Sequence, residues 1–172
     1  TTPAALKAKV SKKAFDLFAE LNVMNHTEVE SRYEIELEDY IKKVQIEGRV
    51  LGDIVRNHII PTAFKYQNLL IENIKGLKDI FGDSYEELAA EQILILKKTS
   101  MHVNELNAKL HAMMDARKEA NSLDSVEKMA HAYCDNVKPY FDEIRYHADK
   151  LELMVDNELW TLTKYRELLF TR

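Results

Sequence analysis

Glu30–Gln67 reads ESRYEIELEDYIKKVQIEGRVLGDIVRNHIIPTAFKYQ. At the roughly 100° per residue of a helix, Tyr33, Leu37, Tyr40, Ile41, Val44, Gly48, Leu51, Val55, Ile59, Thr62 and Tyr66, continued by Leu69, form one stripe. The stripe crosses Pro61 in phase, so it predicts one very long helix, bent at the proline rather than ended. A thinner apolar line lies on its back, made by Ile35, Ile46, Ile60, Phe64 and Ile71. A helix apolar on two sides is usually sandwiched. These five residues are therefore the candidate interface, covered either by the ends of this chain or by another domain or subunit.

The rest of the composition agrees with helix. Among 172 residues there are only four glycines and three prolines, and long runs carry neither. No segment alternates with period two for long enough to argue a sheet. The net charge of −5, with acids and bases interspersed, argues against a nucleic-acid surface, which needs a basic face. No run approaches the ~20 apolar residues of a membrane span. A single cysteine, Cys134, permits no internal disulfide and suits a reducing compartment. The chain opens Thr1-Thr2-Pro3, with no signal peptide and no initiator methionine, which suits a processed or excised piece. A cytoplasmic location is the expectation.

The whole chain, 1–172, is expected to be a single helical domain. Residues 1–10 read as a linker, 11–22 as a short helix that Ser11 can cap, 27–157 as a bundle of long helices, and 158–172 as an apolar tail that folds back. Thr27 to Glu30 fits a capping box at the start of the long helix, and Gly82-Asp83 stops it. Ser84 to Glu87 fits a second box, opening a helix with the stripe Leu88, Gln92, Ile95, Leu96, Thr99, Val103, Leu106, Leu110, Met113 and Met114. Asn121-Ser122 breaks that helix. Ser122 or Asp124 begins the last one, whose face of Val126, Tyr133, Val137, Tyr140, Ile144, Leu151 and Val155 stays in phase across Pro139. The fold expected is all-α: an antiparallel bundle of three long helices, one bent at Pro61, with a short N-terminal helix and a folded-back C-terminal tail. At 1.5 Å per residue, roughly 25 Å of the long helix near residues 27–45 would project beyond its antiparallel neighbour, another candidate docking surface.

Few side chains suggest chemistry. A di-metal bundle site needs Glu-x-x-His on two helices, and that motif is absent; His102 and Glu105 show the reversed order once. Glu127, His131, Cys134 and Asp135 share one helix face or its edge. Zinc, however, takes four ligands, usually from more than one element, and Glu–His pairs at i, i+4 are ordinary surface features. Asp142-Glu143 reads as a solvated face, and the tyrosines at 33, 40, 66, 133 and 140 as packing residues. No glycine-rich phosphate loop exists.

Three blocks resemble the C-terminal region of type III glutamine synthetases. They are Glu30-Ser31-Arg32-Tyr33-Glu34 with Leu37-Glu38-Asp39-Tyr40, Ile46-Glu47 and Ile59-Ile60-Pro61-Thr62-Ala63; Ile144-Arg145 with Asp149-Lys150-Leu151-Glu152; and Leu159-Trp160 with Tyr165-Arg166-Glu167-Leu168-Leu169-Phe170. Pro3-Ala4-Ala5-Leu6 resembles the junction after the catalytic domain. The resemblance covers nearly the whole chain in order. It implies a parent enzyme that ligates ammonia to glutamate using ATP and divalent metal, both bound in an upstream catalytic domain. It carries no catalytic, cofactor or metal residue onto this chain. The partners it implies are the chain's own catalytic domain and the other subunits of a homo-oligomeric ring, with a role in assembly, bracing or regulation. A different class of reading is a free-standing module that binds a partner helix in a groove; a third is a metal-binding bundle enzyme.

Overall fold

The computed structural model describes residues 1–170, Tyr165 by its backbone alone. Among them the protein is all-α, without a strand. Short helices α1 (Thr2–Lys7) and α2 (Lys12–Glu20) lead into α3 (His26–Ile54), which passes through a π turn, Val55–Ile59, into α4 (Ile60–Phe81). A 3-10 turn and the single-turn α5 (Tyr85–Leu88) precede α6 (Ala90–Asn121). Then α7 (Val126–Ala132) continues through a second π turn, Tyr133–Val137, into α8 (Pro139–Met154), and α9 (Tyr165–Leu168) lies in the tail.

Each proline explains its π turn. Proline has no N–H, so Pro61 and Pro139 cannot donate to the carbonyls four residues back. The residue before each donates five back instead: Ile60 to Val55, and Lys138 to Tyr133 at 3.0 Å. The helix survives with one extra residue in the turn. That residue shifts the buried face. Past Ile59 the core takes Thr62, as the stripe predicts, with Ala63 and Leu70, while Leu69, expected on the stripe, is 51% exposed.

Several expected starts are displaced. Ser11 does cap α2, accepting from the amide of Ala14. The capping box of α3 is Asn25 with Glu28, each side chain accepting from the other's backbone N–H at 3.0 and 2.7 Å, two residues before the expected Thr27–Glu30 pair. Ser84 makes no cap hydrogen bond because a 3-10 turn occupies the position. Ser125, rather than Ser122 or Asp124, caps α7. Where a linker was expected, α1 buries Pro3 and sets Lys7 on Glu127.

The chain divides into two compact units, with boundaries inside helices. In the first, Thr1–Val50 with His111–Asp142, the core is built from Val29, Tyr33, Leu37, Ile41 and Val44 against Met113, Ala120, Ala130, Tyr133 and Val137. Pairings fix the directions. Gln45 meets Asn121 and Gly48 meets Arg117, numbers rising on α3 as they fall on α6, so these helices are antiparallel. Tyr33 feels Glu127, Tyr40 bonds Cys134 and Gly48 faces Phe141, all rising together, so α3 runs parallel to α7 and α8. That parallel return, with Lys9 on Glu36, covers the stretch near residues 27–45 that was expected to project.

In the second unit, Leu51–Leu110 with the chain from Glu143 on, Val55, Ile59, Ala63 and Leu70 pack with Val103, Leu106, Leu110, Ile144, Leu151 and Val155. Gln67–Ser100 and Asn73–Gln92 make α4 and α6 antiparallel, and His102–His147 with Lys109–Glu143 do the same for α6 and α8. The tail folds back as far as Lys164: Trp160 is buried, and Lys164 Nζ donates to the carbonyls of Glu152 and Val155 at 2.8 and 3.3 Å. Leu168, Leu169 and Phe170 are exposed. The side chain of Tyr165 and residues 171–172 of the expected tail lie outside the described residues.

Two glycines make opposite predictions. Gly76 sits inside α4 with nothing within 4 Å of an added Cβ, whereas Gly82 ends that helix at φ +56. Gly76→Ala should stabilise the chain by about 1 kcal/mol, from helix propensity alone. Gly82→Ala should destabilise it by about 1–3 kcal/mol, because L side chains avoid that conformation. Urea denaturation of both variants checks the pair.

Candidate interface and polar clusters

The five residues of the back line fall in both units. In the first, Ile35 and Ile46 stand on the same outer face of α3, 57% and 61% exposed, joined by Val50, which sequence reading missed, at 51%. In the second, Ile60 and Ile71 are half-buried while Phe64 stands 51% exposed. None of the five is fully buried.

The polar quartet on α7 and its π turn does not converge. Glu127 turns to Lys7, and among the described residues His131 reaches only Asp135, at 3.9 Å. Cys134 bonds the Tyr40 hydroxyl, whose pKa is driven up first by burial and then by that bond. Among the described residues no three His, Cys, Asp or Glu side chains gather as a metal would need.

Two polar clusters that sequence reading missed do converge. In the first unit Gln45 Nε2 donates to Asn121 Oδ1 at 3.0 Å and to the Tyr133 hydroxyl at 3.1 Å. The same hydroxyl donates to Asn121 Oδ1 at 2.7 Å, closing a triangle across three helical segments. In the second unit His102 and His147 bring their Nδ1 atoms to 2.9 Å. Only one N–H can lie between two such nitrogens, so the contact requires a neutral acceptor ring. Tyr146 sets its edge against both rings, and Lys150 lies 5.4 Å over the Tyr146 ring. Burial of His102, then the charges of His147 and Lys150, hold its pKa below the ordinary value. Neither cluster carries a sequence signature, because its members lie 45 to 88 residues apart, apart from the Asn121–Tyr133 pair.

The fold and these contacts define an all-α helical domain whose polar groups pair across helices and whose outer faces keep apolar side chains uncovered. Residues 1–78 match the family model of the glutamine synthetase C-terminal domain. The chain is 46% identical to a glutamine synthetase of Bacteroides fragilis over 87% of its own length and 21% of that protein's. It is 33% identical to the type-3 glutamine synthetase of Dictyostelium discoideum over 100% of its length and 24% of that protein's, and 25% identical to a glutamine synthetase of Butyrivibrio fibrisolvens over 98% and 24%. The chain belongs to the family of glutamine synthetase C-terminal domains. It spans about a quarter or less of the length of the curated relatives it matches, at their C-terminal part. Among the described residues no helix is long and apolar enough to cross a membrane.

The histidine pair sets a pH dependence. His102 has a folded pKa below its unfolded value of about 6.5, so the unfolded chain binds more protons in the window beneath. Its contribution to stability is complete above that value and is lost as pH falls below it. Urea midpoints between pH 5 and 8 should decline on the acid side, and His102→Gln should flatten the decline. His147→Gln should flatten it less, since burial of His102 is the larger cause.

Proposed function

We propose that the chain is the C-terminal domain of a type III glutamine synthetase, non-catalytic by itself, serving assembly, bracing or regulation of the parent. The parent reaction is the ATP-dependent ligation of ammonia to glutamate in the cytoplasm. The observation that carries the reading is that 87 to 100% of this chain aligns with only 21 to 24% of two glutamine synthetases, one of them type 3. Three quarters of such an enzyme lies outside this sequence. ATP and divalent metal belong to that remainder. The described residues bring no three metal-ligating side chains together, and the four scattered glycines build no phosphate loop.

The partners follow from the same reading: the chain's own catalytic domain and the neighbouring subunits of a homo-oligomeric ring. Each unit by itself supplies a docking position: Ile35, Ile46 and Val50 of α3 in the first, and Phe64 of α4 in the second. Charges there test it. Ile46→Glu and Phe64→Glu alter exposed positions, so each should change the stability of the isolated chain by no more than about 0.5 kcal/mol. In the full enzyme each should shift the sedimentation profile from the complete ring toward smaller species. Unfolding of the isolated variants would assign these residues to the core, and an intact ring carrying both substitutions would remove the docking role.

A further inference from the structure

Two cationic side chains are buried among the described residues, Lys164 and Arg117. Lys164 is satisfied by two main-chain carbonyls. Arg117 is not. It is 7% exposed, on α6 in the first unit, and its stem lies against Gly48, where an added Cβ would come within 3.4 Å of Cδ and 3.5 Å of the Phe141 ring. Nη1 donates to Met114 Sδ at 3.2 Å, a weak acceptor, and Nε is enclosed with no partner. Arg117 forms no ion pair among the described residues. Nη2, neither bonded nor enclosed, is the open edge.

A guanidinium cannot relieve this by losing its proton, as a lysine or histidine does. Buried charges are paired, so the missing charge has to come from beyond these residues. Its chemistry follows from the fork of N–H donors. Planar oxyanions match that fork, and a carboxylate takes two parallel hydrogen bonds. A phosphate would call for further positive charge, and neither Met114, which Nη1 meets, nor Gly48 and Phe141 at its stem supplies any. We propose that Arg117 is a receptor for a carboxylate supplied from outside this chain. Two sources share that chemistry, an acidic side chain from the remainder of the enzyme and a free small carboxylate.

The test begins with the 172-residue chain and sodium acetate as probe, against sodium chloride at equal ionic strength. The Arg117 Nε–H resonance should shift saturably with acetate and not with chloride. Acetate should raise Tm in the native chain and leave Arg117→Met unmoved. Arg117→Lys keeps the charge without the fork and should lose at least about 10-fold in acetate affinity. Without anion, Arg117→Met should melt no lower than the native chain, since it removes an uncompensated buried charge and keeps the volume. An Nε–H signal that responds alike to both salts, together with a lower Tm for Arg117→Met, would overturn the proposal and leave Arg117 as packing. In the full enzyme, a resonance already at its saturated position and indifferent to acetate assigns the carboxylate to the enzyme's own chain. A resonance that still titrates assigns it to a free carboxylate. The measurement on the chain stands apart from the ring, so intact docking with a silent Nε–H would sink this proposal alone.

Discussion

The missing amide of proline is the constraint around which both units are arranged. A proline in a helix interior costs about 3 kcal/mol where nothing compensates. At Pro61 and Pro139 the preceding residue reaches back five positions instead of four, and the helix carries on. In both cases the two ends of the π turn point into a core: Val55 and Ile59 in the second unit, Tyr133 and Val137 in the first. The extra residue is thus placed where packing fixes its consequences. Past Pro61 the buried position moves from Leu69 to Leu70, whereas past Pro139 Ile144, Leu151 and Val155 stay inside as their spacing predicts.

An apolar stripe alone does not set how far one helix slides along another, because its side chains recur every three or four residues. Polar pairs do. The Gln45–Asn121–Tyr133 triangle satisfies its members only at one alignment of three segments, and Gln67–Ser100 and Asn73–Gln92 each admit one register between α4 and α6. Each such bond is worth only about 1 kcal/mol net, and at the part-buried ones, Tyr133–Asn121 and Gln67–Ser100, breaking it adds a desolvation penalty. Register is set by what a slip would strand.

What was legible in the sequence followed from local rules. Periodicity placed the long helices and most of their buried faces, since Tyr33, Leu37, Val44, Val103, Leu106 and Leu151 need only their own helix to declare themselves. Ser11 declared itself as a cap for the same reason. Asn25 was passed over because Thr27–Glu30 also satisfies the box pattern, and the choice depends on where the preceding turn ends. The outer face of α3 was legible as an apolar line, although its split between two units was not. The burial of His102 and Arg117 could not be read at all, since polar residues at core-facing positions look like solvated ones until the opposing helix is known.

The contrast between Lys164 and Arg117 shows where a helical fold can bury a cation. The last four carbonyls of any helix lack intrahelical partners. Lys164 sits beyond the end of α8, and its ammonium takes the carbonyls of Glu152 and Val155 there, with the Trp160 ring 5.8 Å away. It ties down the tail at a place that already needed a donor. Arg117 also lies near a helix end, four residues before Asn121, yet it gains nothing from it. Side chains on a helix lean toward the N-terminus, and contact with Met114 shows that Arg117 does so. It points back over carbonyls already engaged by amides four residues on. One free carbonyl at that end, of Glu119, is taken by the Ser122 hydroxyl and amide. Among the described residues the guanidinium bonds no backbone carbonyl and pairs with no carboxylate; its one hydrogen bond goes to Met114 Sδ. The same rule that makes Lys164 a self-contained anchor makes Arg117 a group whose counter-charge has to be brought to it.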